Sequence, residues 1–291
     1  YNAALAGTDL TVELQAFHQV FLESAAQGIS MFASSGDSGA YDTSGLVPGL
    51  SNELTVDAPA SDPAITAAGG TTTPYTITAA DFGAPGTGSY TVSQQQAWGW
   101  DGLQSFYDAN VAPGVSLFST GSGGGVSVYW PAPWYQQGYA GTQTSAAGQT
   151  ITYDDGVDPV QTLITLPAGY HGRNVPDVSA DADPFSGYLI YAQGEWLNSY
   201  GGTSFVAPQL NGVTALLRQR THGRVGLLNG MLYRFAAAER ARSRTPAPVV
   251  DVTAGDNWYY DGVAGYDAAT GVGVLDVSNF ANAVVTESGC D

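Results

Sequence analysis

The sequence predicts an α/β fold, a mostly parallel sheet flanked by helices, and three stretches carry that reading. Residues 9–27, DLTVELQAFHQVFLESAAQ, set Leu10, Leu14, Phe17, Phe21 and Ala25 at helical spacing, with Gly28 as the stop. ISMFAS, residues 29–34, then reads as a short buried strand, and SGDSGA follows as a polar turn at its C-terminal end. Far along the chain, GGTSFVAPQLNGVTALLRQR, residues 201–220, runs from glycines into a second long helix. Such units are typical of α/β proteins, whose sites gather at the C-terminal ends of strands.

The remaining elements follow in order. AITAAGG, residues 64–70, is strand-like, within a stretch from 41 to 150 whose Gly, Thr, Ser and Pro content predicts long ordered loops. SGYLIYAQGEWLNSY, residues 186–200, reads as two strands joined by a turn at Gln193-Gly194. Residues 226–244 form a further helix whose basic end complements the negative end of its dipole. Residues 251–275 are rich in Gly and Asp. A chain of 291 residues fits one large domain or two smaller ones. No repeat or linker divides it, so residues 1–291 read as part of one domain.

Charge narrows the function classes. Only 12% of residues are charged, against roughly 25% in an average soluble domain. There are 26 acidic residues against 8 basic ones, all arginine, for a net charge of −18. Nucleic acid and anionic membranes are bound chiefly through basic residues, which argues against both as partners. An excess of carboxylates suits an acidic medium, where many are neutral, or simply keeps a secreted protein soluble. The one cysteine, Cys290, excludes an internal disulfide framework and a multi-cysteine zinc site, and leaves a bond to another chain open. The first residue is Tyr1, which suggests a processed product or a cut piece.

Two serines compete as nucleophile. Gly36-Asp37-Ser38-Gly39 matches the setting of the chymotrypsin serine, but that family places its His and Asp upstream, and only His18 precedes Ser38, inside a predicted helix. His171 and His222 read as loop or surface residues, and no G-x-S-x-G elbow occurs. Ser204 is the stronger candidate. Small residues bring it to the start of the 201–220 helix, where free N–H groups favour nearby negative charge. Pro208 is expected in the first turn, which asks no N–H of it.

With these segments in hand, the chain resembles the sedolisins, serine-carboxyl peptidases with a subtilisin-like fold. The matching stretches, in order, are SSGDSGA (34–40), SGGGVS (122–127), RNVPDVSADADPFSGY (173–188), GGTSFVAPQLNG (201–212), and DVTAGDN with AGYDAATGVG (251–257 and 264–273). GLLNGMLY (226–233) resembles another, with Gly230 where proline is usual. The resemblance implies an acid-acting endopeptidase in which Ser204 forms an acyl-enzyme and Asp37, not Ser38, stabilises the oxyanion. It also implies one Ca2+ in a C-terminal loop, held by the carboxylates of Asp251 and Asp267 and the carbonyls of Val252, Val263 and Gly265. Family members often have Gly at the position of Val263. SGGGVS is assigned no chemical role.

The family's Glu and Asp, which activate the serine, match nothing upstream of Asp37; Asp9 and Glu13 have the spacing but the wrong order. The chain therefore reads as the C-terminal portion of a sedolisin-type domain. The Glu/Asp helix is expected on an associated N-terminal chain of the same precursor, and polypeptides are the expected substrates of a secreted enzyme in an acidic environment. A catalytically inactive subtilisin-fold binding module is the alternative.

Overall fold

The structure is a computed structural model, and it describes residues 10–44, 47–240 and 246–288. The helices are α1 (Thr11–Ala26), α2 (Asp101–Asn110), α3 (Thr203–Thr221), α4 (Asn229–Arg240) and α5 (Val277–Ser288). The main sheet has six strands. β1 (Phe32–Ser34), β2 (Thr66–Thr72), β10 (Val178–Asp181) and β14 (Val274–Leu275) lie parallel in that order. β13 (Val249–Val250) runs antiparallel beside β14, and β5 (Gln96–Ala97) antiparallel beside β2. Four two-stranded ribbons surround it. They pair β3 (Tyr75–Thr78) with β4 (Ser89–Val92), β6 (Gly125–Pro131) with β9 (Gly172–Val175), β7 (Thr150–Tyr153) with β8 (Gln161–Thr165), and β11 (Tyr188–Ala192) with β12 (Glu195–Tyr200). The predicted mostly parallel α/β sheet is thus present. Among the described residues no helix is long and apolar enough to cross a membrane.

β2 is buried along its whole length, and its sequence TAAGGTT explains how. Gly69 and Gly70 let Pro176, Trp98 and Ala182 close on the strand, where a Cβ would collide with them. The main core joins Val178 of β10 to Val206, Leu210 and Leu217 of α3, Leu232 and Phe235 of α4, and Phe280 and Val284 of α5.

A charged hub fixes this core to the sheet. Arg173 and Asp177, both fully buried, make a two-pronged ion pair at 2.8 and 2.5 Å. Asp177 also accepts from the Ala67 N–H of β2 (2.8 Å) and from Asn229 (3.2 Å) and Tyr233 (3.1 Å) of α4. Every carboxylate oxygen is engaged, as a buried charge requires. The RNVPD part of the 173–188 motif is therefore a structural joint.

The first helix and strand are more open than a core element, and for the strand this corrects the expectation of burial. The apolar stripe of α1 is not a buried face: of its members only Phe21 is buried, against Ala64 and Ile65, while Phe17 is 57% exposed and Leu10 39%. The 29–34 strand is not buried either; β1 is only three residues long and half-covered. It forms the edge of the sheet, pairing only with β2 among the described residues. Phe21, Met31 and Ala33 pack on the 64–65 segment, while Phe32 packs against the main core, so β1 is half-covered as an edge strand.

Asp177→Ala is expected to destabilise the fold by about 3–5 kcal/mol, because it strands the Arg173 guanidinium in the core. Urea unfolding of both forms measures this, and a loss under about 1 kcal/mol would contradict the hub.

Candidate active site

Ser204 and Asp37, 167 positions apart, meet at the N-terminus of α3. Parallel pairing of β1 with β2, and of β2 with β10, brings the SGDSG turn and the chain after β10 to the same end of the sheet. Gly202 caps the helix at φ 102, a left-handed conformation suited to glycine. Ser204 is the second residue of α3, and its side chain is exposed.

Asp37 is tied to the residue before the serine. Its Oδ1 accepts from the Thr203 N–H at 2.7 Å and from Thr203 Oγ1 at 2.8 Å. The Thr203 hydroxyl also lies 3.1 Å from the Gly36 carbonyl and accepts from the Gly36 N–H at 3.2 Å. One of the free N–H groups of the helix end is thereby spent on a carboxylate, the favourable polarity for that terminus. Asp37 Oδ2 stands 2.7 Å from where a Cβ on Gly202 would be. Gly202 is thus needed twice, for its backbone angle and for Asp37.

Pro208 does not lie in the first turn as expected. It is the sixth residue of α3 and lacks the N–H that would have reached the Ser204 carbonyl four residues back. The helix is accordingly short of one backbone hydrogen bond at the candidate nucleophile.

The SGGGVS motif gains a role in packing. A side chain on Gly123 would overlap the Ser35 carbonyl, and one on Gly124 the Ala268 carbonyl. Gly123 N–H donates to the Gly36 carbonyl at 2.7 Å, and Gly121 N–H to the Asp37 carbonyl at 3.1 Å. These glycines let a second backbone segment brace the SGDSG turn. Gly230 likewise leaves room for the Trp134 ring, 2.6 Å from its missing Cβ.

Two carboxylates that the sequence reading did not single out lie behind the turn. Asp42 is buried, its Oδ1 2.9 Å from where a Cβ on Gly36 would be, and Asp57 lies under the same point. Burial, then the like charges of Asp57 and Asp37, push Asp42 up to about 7. Burial raises Asp57 also, with an opposing hydrogen bond from the Ala58 backbone and a further upward push from Asp37. Both follow SGDSGA in loop sequence without periodicity, so only the fold reveals the cluster.

The histidines stay outside this site. His18 Nδ1 lies 2.9 Å from Asp62 Oδ1, and its ring lies 4.7 Å from that of Trp130. His171 and His222 are exposed. Of the tryptophans, Trp98 is core, Trp134 is 70% exposed, and Trp100 donates to buried Asp183 at 3.1 Å.

The C-terminal loop brings Asp251 and Asp267 onto one short segment. Asp251 Oδ2 accepts from the Gly265 N–H at 2.7 Å, and Asp267 Oδ2 from the Val263 N–H at 3.1 Å. Asp267 Oδ1 takes the N–H groups of Ala269 and Thr270 at 3.0 and 2.7 Å and the Thr270 hydroxyl at 3.1 Å. Burial nevertheless pushes Asp267 up to about 6, a state that a nearby cation would relieve. Among the described residues no three His, Cys, Asp or Glu side chains gather as a metal cluster. The two carboxylates are hard oxygen donors of the kind calcium favours.

No family model matches the chain. It is 32% identical over 269 residues to sedolisin of Pseudomonas sp. (strain 101), a match that covers 91% of this chain and 36% of that protein. Kumamolisin of Bacillus sp. (strain MN-32) is 30% identical over 268 residues, covering 89% and 37%. Among solved structures, Pseudomonas sedolisin, a serine-carboxyl proteinase complexed with two molecules of pseudo-iodotyrostatin, superposes with a TM-score of 0.64 at 29% identity. That match covers 99% of this chain and 62% of the solved one. The chain thus spans little more than a third of the two relatives' length.

The raised Asp42 makes a pH prediction. Its folded form binds a proton more tightly than the unfolded chain, so its contribution is full below about pH 4 and is lost as pH rises through about 7. Asp42→Asn is expected to flatten this loss, worth up to about 4 kcal/mol. Melting temperatures at pH 4 and pH 8 test it, and an unchanged pH slope would contradict it.

Proposed function

The chain belongs to the sedolisin family, and from that premise we propose that it carries half of the catalytic apparatus of an acid-acting serine-carboxyl endopeptidase. Ser204 attacks the scissile carbonyl and forms the acyl-enzyme. Asp37 donates a hydrogen bond to the developing oxyanion from its protonated carboxyl. The observation that carries the reading is the Thr203–Asp37 contact, which sets an acid-bearing carboxyl beside the residue that precedes the serine. With Oδ1 occupied by two donors, Oδ2 is the oxygen free to hold the proton. An ionised carboxylate only accepts, so the stabilising donor exists only in acid.

The general base and its orienting partner are a Glu and an Asp on an N-terminal segment of the same precursor, associated with this chain. They face Ser204 from the side left open by β1. The substrates are polypeptides, and the enzyme works outside the cell in an acidic medium. One calcium ion in the Asp251–Asp267 loop supplies charge neutralisation and rigidity, not chemistry. The inactive binding module remains the second reading, favoured by the lack of a Glu–Asp pair in this chain.

Ser204→Ala in the full-length protein is expected to abolish peptide hydrolysis while leaving the melting curve unchanged; retained turnover would refute the nucleophile. Asp37→Ala is expected to lower kcat by about 10²–10³-fold, as loss of an oxyanion donor does. For the metal, 100-fold excess of calcium over its Kd is expected to stabilise the protein by roughly 2.7 kcal/mol. EGTA should remove this gain, and Asp267→Ala should be insensitive to both. A melting temperature indifferent to calcium would overturn that assignment.

A further inference from the structure

A cavity of about 440 Å³ opens between α3, the end of α1 and the segment that follows α3. Its α3 wall is one helix face, Asn211, Thr214, Ala215 and Arg218, spaced at i, i+3, i+4 and i+7. Gln27 to Ser30, the chain between α1 and β1, form a second wall, and Arg224 and Val225 complete it. Arg218 lies roughly 21 Å along α3 from Ser204, at about 1.5 Å per residue, so the cavity is distinct from the candidate active site. The walls carry two of the chain's 8 basic residues and none of its 26 acidic ones. Although acidic residues are so numerous, neither Arg218 nor Arg224 makes an ion pair among the described residues.

Arg224 is held in place. Its stem lies over Gly28, where a Cβ would come within 2.5 Å of the Arg224 Cβ. One guanidinium N–H donates to the Gln27 carbonyl at the end of α1. Beside it the Gly226 N–H donates to the Gly28 carbonyl at 3.1 Å, and the Ser30 hydroxyl to the Gly226 carbonyl at 2.7 Å. Arg224 thus has a fixed footing and four of its five N–H donors to spare. The negative ends of α1 and α3 suit arginines nearby. That polarity does not explain why both guanidinium groups line one cavity with no carboxylate in its walls.

We propose that this cavity binds a small phosphate or sulfate group, gripped between Arg218 and Arg224 with the Asn211 amide as a further donor. Two guanidinium groups offer more N–H donors than the two oxygens of a carboxylate can use, and they form charge-assisted bonds with phosphate readily. Phosphate and sulfate also keep their charge in acid, where carboxylates lose theirs. Bound there, the anion joins α3, which carries Ser204, to the chain entering β1 and the Asp37 turn. Its effect is on the stability of that junction. The site stands independently of the peptidase reading.

The test is calorimetric titration of sodium phosphate and sodium sulfate into the full-length protein at pH 5, with sodium chloride holding ionic strength constant. Wild type should bind one equivalent of either and melt at a higher temperature than in chloride alone. Arg218→Gln and Arg224→Gln should each weaken binding by roughly tenfold, about the worth of one charge-assisted hydrogen bond. The double variant should show neither binding nor the melting shift. Arg220→Gln removes the same charge outside the cavity, where that guanidinium meets Asn282 at 2.6 Å, and should bind as wild type does. Glycerol phosphate separates two sources of the group: tighter binding than inorganic phosphate assigns the cavity to a phosphate ester, and equal or weaker binding to the free ion. Absence of both binding and a melting shift in wild type would overturn the proposal. So would acetate binding as well as phosphate, or a loss in Arg220→Gln equal to that in Arg218→Gln.

Discussion

The contact between Asp37 and Thr203 is the constraint on which the rest of the site depends. It spans 166 positions and fastens the turn after β1 to the first residue of α3. Everything near it serves the closeness of that approach. Gly202 removes the Cβ that would strike Asp37, while Gly123 and Gly124 let a bracing segment lie against the turn. The parallel strands β1, β2 and β10 set both partners at one end of the sheet.

The electrostatics of the region favour neutral carboxyls. Buried Asp42 and half-buried Asp57 sit behind Asp37 as a cluster of like charge, and burial raises both. Such a cluster is costly when ionised and stable when protonated, so acid is the condition in which this end of the molecule is at ease. The Arg173–Asp177 hub shows the contrasting solution: the buried Asp177 charge is retained there because an opposite charge and further donors meet both of its oxygens.

Much of this was legible from the chain. α1, α3, α4, the β11–β12 hairpin and its turn at Gln193-Gly194 all stand where periodicity and turn chemistry put them. Ser204 stood out by its place at a glycine-rich helix start and Asp37 only through the resemblance to the sedolisins, and the structure sets Asp37 against Thr203, the residue before Ser204. The rest depends on contacts distant in sequence. Nothing local marks Asp42 or Asp57 as neighbours of Asp37. The apolar stripe of α1 gives helical spacing but not what covers it, so the exposure of Leu10 and Phe17 is not legible from spacing alone. Pro208 was misplaced because the helix begins at Thr203, where glycines before it gave no sharper boundary.

The central claim, that Ser204 is a nucleophile served by a protonated Asp37, is tested most directly by trapping the adduct. The full-length protein is exposed to a peptide aldehyde between pH 3 and pH 7, reduced, digested and mapped by mass spectrometry. The account predicts modification at Ser204 that is strong in acid, fades toward neutral pH and disappears in Asp37→Ala. Labelling at another residue, or labelling of Ser204 that ignores both pH and Asp37, would contradict it.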